Sequence, residues 1–360
     1  MKLLFLVYDI SIRAGTERAV SMLANWFAGR EGYQVVLLTS NLTNNVAAYP
    51  LSANVTIEHL SLPVYPKGKL RQMFWHVELL KRLKTRMSGE TGAAVIGTWS
   101  TLNLVLAAAA ESKNRYIGWE HTVYDNVDFL RKLLRKRYYR RLSAVVTLTR
   151  RDAERYRAHQ VHVETVPNSS PLSSAEPAPL DAQQVLSLGR LTPPKGFDLY
   201  LEIASRLIPE YPGWRFIIAG SGPEETLLRN RISELSIGEQ AEIVTGVRDV
   251  EPLYMGSSIV AVTSRAEGFP MVLLEAMSCG VPCVSFDCPY GPAEIITDGE
   301  DGFLIPPGDL SAFSEKLELL MNNAALRRKM GAAARRNVRR FSMDRIGEAW
   351  EQVVDGSAIG

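Results

Sequence analysis

Cysteine is scarce: of 360 residues only Cys279, Cys283 and Cys288 carry thiols, all in one stretch and none in a CxxC pair. A disulfide framework or a zinc set needs more of them at regular spacing, so they read as small core or loop residues in a reducing compartment. Neither an HExxH run nor an Asp-x-Asp pair occurs, and the pattern points to no metal. Long hydrophobic runs are also lacking. The start MKLLFLVYDI is interrupted by Asp9 and is followed by no small-residue cleavage site, so it reads as a first buried strand and not as a signal peptide. The uncharged stretch from Thr91 to Ala110 is divided by Gly97, Thr98, Ser100 and Asn103; a strand, AAVIGTW, followed by a helix, LNLVLAAAA, accounts for it better than a membrane span.

What is there includes an uneven charge. Residues 1–170 hold 24 Lys and Arg against 13 Asp and Glu, and residues 171–360 hold 17 against 26, within a total of only +2. The basic excess lies in KGKLRQMFWHVELLKRLKTRM and FLRKLLRKRYYRR. In the second segment Leu130, Leu133, Leu134 and Tyr138 recur at helical spacing while Arg131, Lys132, Arg135, Lys136, Arg140 and Arg141 fill the rest. Such a cationic helix suits an anionic membrane surface, at roughly 1 kcal/mol per basic residue near it. It also suits packing of the apolar face on its own domain. A nucleic-acid partner is not expected, because no helix-turn-helix, RNP or zinc pattern accompanies the charge.

The length suits two domains of about 170 to 180 residues each. The first half alternates strand and helix: LLFLVYDI, a helix from about Thr16 to Gly29, QVVLLTS, the basic segment, AAVIGTW, YIGWEH, the cationic helix, AVVTLT and VHVETV. That alternation predicts an α/β fold with a doubly wound parallel sheet. The stretch PNSSPLSSAEPAPLDA, rich in Pro, Ser and Ala, marks the boundary. After it the alternation resumes to about Asn323, and helices close the chain. No tandem repeat of short period is present.

One segment of the second half concentrates the chemistry. In SRAEGFPMVLLEAMSCGVPCV, Glu267 sits at the carboxyl end of an apolar strand, where open α/β sheets bind ligands, and Glu275 lies on a helix predicted to start at about Met271. Pro270 suits the first helical turn, and the amides of Met271 and Val272 point out of the helix start, which favours an anion such as a diphosphate. Upstream, QQVLSLGRLTPPKGFDLYLEIA gives a strand, Gly189, Arg190, a proline-bearing loop, and Lys195 and Gly196 opening an amphipathic helix. Arg190 as a planar fork and Lys195 as a point charge suit a diphosphate at this strand-to-helix junction. Two further strands end at Gly222 and Gly246. Taken singly, each of these residues also fits an ordinary solvated or helix-face position.

In this order the motifs resemble the retaining nucleotide-sugar glycosyltransferases of the GT-B fold, family 4, in the bacterial exopolysaccharide, capsule and O-antigen branch that includes amylovoran-type enzymes. The resemblance spans nearly the whole chain and is strongest from Gly189 to Asp309. It rests on Glu267 and Glu275 with seven residues between, on Arg190 and Lys195, and on GPAEIITDGEDGFLIPPGD. It implies two doubly wound Rossmann-like domains facing across a cleft: residues 1–172 for the acceptor, a linker at 173–182, residues 183–341 for the nucleotide sugar, and a crossover helix and tail at 342–360. Arg190 and Lys195 would offset charge on the leaving diphosphate, Glu267 would sit near the donor sugar, and Glu275 would take the ribose hydroxyls. Gly189, Gly222, Gly246, Phe269, Pro270, Met271 and Val272 would complete the donor site. In IRAGTERAV, Ala14 stands where the family usually has the first of two glycines and Gly15 keeps the second, close to the donor. His121, after YIGWEH, matches a His or Asp near the reacting sugar; without the resemblance it reads as a packed histidine beside Trp119.

The resemblance thus implies transfer of a hexose or N-acetylhexosamine from a nucleotide sugar, UDP-linked by expectation, to a lipid-linked saccharide. No cofactor beyond that donor is expected, and the location implied is cytoplasmic, on the inner face of the cytoplasmic membrane. A non-hydrolysing nucleotide-sugar epimerase shares the architecture, and a catalytically silent GT-B partner subunit would be expected to have lost Arg190, Lys195 or Glu275. All three are present.

Overall fold

The computed structural model describes residues 1–357 apart from 45 and 126; the end of the expected tail, 358–360, lies outside the described residues. Two compact units make up the chain, one of Met1–Ser169 with Met343–Gly360 and one of Ser170–Ser342.

In the first unit the elements run β1 (Lys2–Asp9), α1 (Gly15–Ala28), β2 (Gln34–Asn41), β3 (Val55–His59), α2 (Lys69–Met87), β4 (Ala94–Gly97), α3 (Ser100–Ala109), β5 (Arg115–Glu120), α4 (Phe129–Tyr138), β6 (Ala144–Thr147), α5 (Arg150–Arg157) and β7 (Val163–Thr165). Their parallel sheet has the order β3-β2-β1-β4-β5-β6-β7. The central strands are continuous apolar runs because helices cover both faces of a parallel sheet. β3 was not foreseen within the first half. It is a five-residue edge strand, VTIEH, mostly exposed, whose alternation is too short to read without its pairing to β2.

In the second unit follow β8 (Gln184–Leu188), α6 (Phe197–Leu207), β9 (Arg215–Ala219), α7 (Glu225–Glu234), β10 (Ala241–Val244), α8 (Glu251–Met255), β11 (Ile259–Val262), α9 (Met271–Ser278), β12 (Cys283–Phe286), α10 (Pro292–Ile295), β13 (Gly302–Ile305), α11 (Leu310–Asn322) and α12 (Ala324–Asn337). The sheet order is β10-β9-β8-β11-β12-β13, again all parallel. Each half is a Rossmann-like layer of helices around a parallel sheet. The Pro- and Ser-rich stretch between them is no loose tether. Ala178 and Leu180 are buried, the Ala178 amide donates to the Cys279 carbonyl at 2.7 Å, and the Leu180 carbonyl accepts from the Arg327 guanidinium at 3.2 Å. All three thiols are buried, and burial pushes those of Cys279 and Cys288 up to about 12.

The last helix, α13 (Met343–Asp355), belongs to the first unit. It packs on α1, where Gly347 lies so close to the Trp26 ring that a Cβ would run into it. Trp26 Nε1 donates to Asp344 at 3.1 Å, and Trp350, fully buried, meets Trp119 at 4.7 Å between ring centroids.

The cationic helix α4 departs from expectation. Arg135, read from sequence as part of a basic outer face, is 1% exposed. Its guanidinium pairs with Glu120 at 2.9 Å and donates to Ser100 Oγ at 2.7 Å. Glu120 also accepts from Asn103 at 2.8 Å and from the Tyr139 hydroxyl. The physical reason is Glu120 itself. A fully buried carboxylate at the end of β5 requires a cation, and Arg135 is the one the helix offers. Burial works against the Arg135 charge and the Glu120 carboxylate outweighs it, so the guanidinium is held above its usual range. Turning Arg135 inward rotates the apolar residues outward: Phe129 is 82% exposed, Leu130 62% and Leu133 52%. Among the described residues no helix is long and apolar enough to cross a membrane.

Replacing Arg135 by Met leaves Glu120 buried without its cation. Urea unfolding should show a loss of about 3–5 kcal/mol, against less than about 0.5 kcal/mol for the exposed neighbour Arg137→Met.

Candidate active site

The second sheet reverses its order between β8 and β11. Loops after those two strands leave on opposite faces, which opens a crevice at their carboxyl ends. Both loops carry the charged residues singled out in the sequence.

After β8, the amide of Gly189 donates to the Ala219 carbonyl and that of Leu191 to the Ser221 carbonyl, each at 3.0 Å. A Cβ at Gly220 would run into the Gly189 carbonyl, and one at Gly222 into the Leu191 backbone. Gly222 therefore has a packing reason to be glycine: it lets the β8 and β9 loops lie side by side. The interlock holds Arg190 at the surface, exposed, and among the described residues no carboxylate pairs with it. Lys195 ends a 3-10 turn, Pro193–Lys195, and does not yet belong to α6. Gly196 follows at φ +64°, a left-handed conformation that glycine adopts without steric cost. It also lies against the Thr263 carbonyl too closely for any side chain. Thr263 Oγ1 donates to the Gly196 carbonyl at 2.8 Å, and the Arg265 amide to the Pro194 carbonyl at 2.7 Å.

This clamp brings Lys195 to the β11 loop. Its ammonium meets Glu267 Oε1 at 2.6 Å, and Ser264 Oγ donates to the same oxygen at 2.7 Å. Glu267 is further fixed by its backbone, its carbonyl accepting from the Tyr290 amide at 3.0 Å. Sequence reasoning missed Ser264, although its position three residues before Glu267 was visible.

Pro270 sits outside the first turn expected of it: it is the N-cap of α9, extended at φ −73° and ψ 96°, with no side-chain cap. The first amides of the helix, those of Met271 and Val272, are thus left without a capping side chain, and both residues are half-buried. Phe269 and Pro270 are buried, and the Phe269 ring packs on Phe341 at 5.7 Å. Its side chain packs toward the core of the second unit. Glu275 lies one turn into α9, 3% exposed, accepting from the Tyr254 hydroxyl at 2.6 Å. No sequence signal pointed to Tyr254 of α8, which reaches Glu275 only through the fold. Gly246, at φ +73°, is exposed beyond β10, the outer strand of the sheet, two strands away from β8.

Gly15 and His121 belong to the first unit, on the carboxyl edge of its sheet. α1 begins at Gly15, and Ala14 as its N-cap is extended at φ −144°, a conformation open to any residue, so the alanine in place of glycine distorts nothing. No side chain caps this helix start. His121 follows Glu120 at the end of β5, its ring 4.3 Å from that of Trp119. Burial pushes the imidazole down to about 3, which keeps it neutral, and its buried Nε2 has no hydrogen-bond partner among the described residues. Among those residues no group of three His, Cys, Asp or Glu is placed to hold a metal ion.

Within the second unit, a guanidinium without a carboxylate partner, an ammonium held by a carboxylate and an uncapped helix start thus lie on the loops that follow β8 and β11, donors of the kind an oxygen-rich anion takes. Comparison with known proteins agrees. The family model described as Glycosyl transferases group 1 matches residues 171–337, and that described as Glycosyltransferase Family 4 matches residues 13–172. The amylovoran biosynthesis glycosyltransferase AmsD of Erwinia amylovora is 29% identical over 365 residues, covering 98% of this chain and 99% of its own. An alpha-1,4-N-acetyl-D-galactosaminyltransferase of Campylobacter jejuni, named for a diNAcBac-PP-undecaprenol-linked substrate, is 28% identical over 171 residues, 47% of each protein. In fold, TarM of S. aureus, solved with UDP, superposes with a TM-score of 0.82 at 14% identity over 98% of this chain and 99% of that one. The two Rossmann-like halves are those of the GT-B fold, and the chain belongs to the family 4 glycosyltransferases.

Proposed function

We propose that the enzyme transfers a hexose or N-acetylhexosamine, with retention, from a UDP-linked donor to a lipid-linked saccharide in the synthesis of a bacterial cell-surface polysaccharide. The observation that carries this reading is the Lys195–Glu267–Ser264 cluster, with Arg190 on the loop after β8, where the second sheet reverses its strand order. The names of the Erwinia and Campylobacter relatives support the polymer and the acceptor class, and the UDP in the TarM structure supports the nucleotide.

In this reading the second unit binds the donor and the first binds the acceptor. Arg190 takes the diphosphate as a fork, Lys195 as a point charge, and the amides of Met271 and Val272 add the partial positive end of α9. Charge grows on the diphosphate as the glycosidic bond breaks, so groups fixed beforehand stabilise the transition state without rearranging. Lys195 is fixed by Glu267, which keeps its carboxylate oriented toward donor-sugar hydroxyls. Glu275, steadied by Tyr254, takes the ribose hydroxyls. The acceptor oxygen attacks from the face the diphosphate leaves, and the departing phosphate oxygen accepts the hydroxyl proton. No enzyme nucleophile is required. Neutral His121, with its free Nε2, is suited to hydrogen-bond a sugar hydroxyl, and the uncapped start of α1 at Gly15 to meet an oxygen-rich ligand.

Membrane contact belongs to the same reading, through the expected helix without Arg135. Phe129, Leu130 and Leu133 stand exposed beside the cations Arg131, Lys132, Lys136, Arg137, Arg140 and Arg141, an apolar strip with a basic flank suited to an anionic leaflet. Arg135 takes no part in it.

Thermal melts of the full chain with UDP-, GDP- and dTDP-sugars test the donor: at 100-fold over Kd a UDP-sugar should stabilise it by about 2.7 kcal/mol, and a larger rise with GDP-sugars would replace uridine. Lys195→Ala should lower kcat by about 10²–10³ with an unchanged far-UV spectrum; wild-type turnover would remove Lys195 from the site. Tyr254→Phe should raise the donor KM about three- to tenfold, the worth of roughly one hydrogen bond, while leaving kcat near wild type. Sedimentation with phosphatidylglycerol vesicles should retain the enzyme, with less than a tenth as much bound for Phe129→Asp/Leu133→Asp and little on phosphatidylcholine; equal binding by the variant would exclude this strip.

A further inference from the structure

The first sheet also reverses its order, between β1 and β4. By the argument used for the second unit, a ligand crevice belongs at the carboxyl ends of those two strands. Aromatic side chains gather there. Tyr8 is the last residue but one of β1, and Trp99 lies two residues past β4. Their ring centroids are 5.6 Å apart. Tyr65 arrives from the segment after β3; its amide donates to the Tyr8 hydroxyl at 2.8 Å, and its ring stands 5.4 Å from Trp99 and 6.4 Å from Tyr8. Trp75 forms the floor. It is 3% exposed, meets Tyr65 at 5.1 Å and Tyr8 at 6.2 Å, and is anchored through Nε1 to the Pro63 carbonyl at 2.8 Å.

The three upper rings are only half-buried. A core would enclose them, whereas this cluster keeps part of each ring open at the sheet edge where ligands bind. A polar group lines one side: His76 Nε2 lies 3.3 Å from the Tyr65 hydroxyl. Burial first, then the Arg131 charge, hold the His76 imidazole below its usual range, so at neutral pH it is an uncharged hydrogen-bonding group.

Rings that are half open beside a neutral hydrogen-bonding group match a pyranose, whose C–H face lies on an aromatic surface while its hydroxyls reach the rim. We infer that Tyr8, Tyr65 and Trp99 form a saccharide-binding platform, with His76 at its rim. Taking the bound sugar as that of the acceptor rests on the glycosyltransferase reading; the platform itself does not.

Saturation-transfer NMR on the full chain tests it, with octyl glycosides of glucose, galactose and N-acetylglucosamine below their micelle concentrations, 1-octanol as the sugarless control, and UDP as a second ligand. At least one glycoside should show transfer to its ring protons, and Trp99→Ala and Tyr65→Ala should each cut that transfer at least fivefold while UDP transfer stays at the wild-type level. Should Trp99→Ala fail to fold, seen as loss of UDP transfer, Tyr65→Ala decides alone, since that ring comes from a surface segment. Wild-type transfer in the variants, displacement of the glycosides by octanol, or no glycoside signal where UDP gives one would each overturn the platform. Absence of UDP transfer in the wild type, with glycosides binding as stated, would instead sink the donor assignment and leave the platform standing.

Discussion

Lys195 reaches Glu267 because two backbones touch. Gly196 rests against the Thr263 carbonyl at a distance no side chain would permit, and the Thr263 hydroxyl and the Arg265 amide tie the same turn down. With β11 and the turn after β8 fixed to each other, the ammonium and carboxylate meet at 2.6 Å. The arrangement is set before any ligand arrives, which is the condition under which fixed charges act on a transition state most strongly. The same logic runs through Gly220 and Gly222, whose lack of side chains keeps the β8 and β9 loops in register and holds Arg190 at the surface.

In the first unit the comparable fixed point is electrostatic. Glu120 at the end of β5 is closed off from water and is satisfied by Arg135, Asn103 and Tyr139 together. That network decides how α4 is rotated, and through it which residues the helix presents outward. It also secures the strand end from which His121 emerges with an unpartnered nitrogen. One buried carboxylate thus sets both a surface and a candidate site residue.

Much of this was legible from the chain. Continuous apolar runs such as LLFLV and IVAV announced central parallel strands, and the segments that carry Arg190, Lys195 and Glu267 read as strand-to-helix junctions, because turn and helix-start chemistry is local. What was hidden depends on partners distant in sequence. Arg135 carries the same helical spacing whether it faces water or Glu120, and only the burial of Glu120 distinguishes the two. Nothing near Phe269 in the sequence reveals Phe341 as its ring neighbour. Tyr254 gave no sign of reaching Glu275, and the half-open rings of Tyr8, Tyr65 and Trp99 come from three separate places in the chain that only the sheet order brings together.

The return of α13 to the first unit bears on the order in which the molecule is built. Trp350, packed under Trp119, and Gly347, laid on Trp26, close a unit whose other residues end at Ser169. The second unit is one unbroken segment and has all its core residues once Ser342 has left the ribosome. The first unit therefore keeps its Trp119 and Trp26 surfaces uncovered until α13 joins it, after the whole of the second unit has been made. The second unit carries no such dependence, because its segment is continuous.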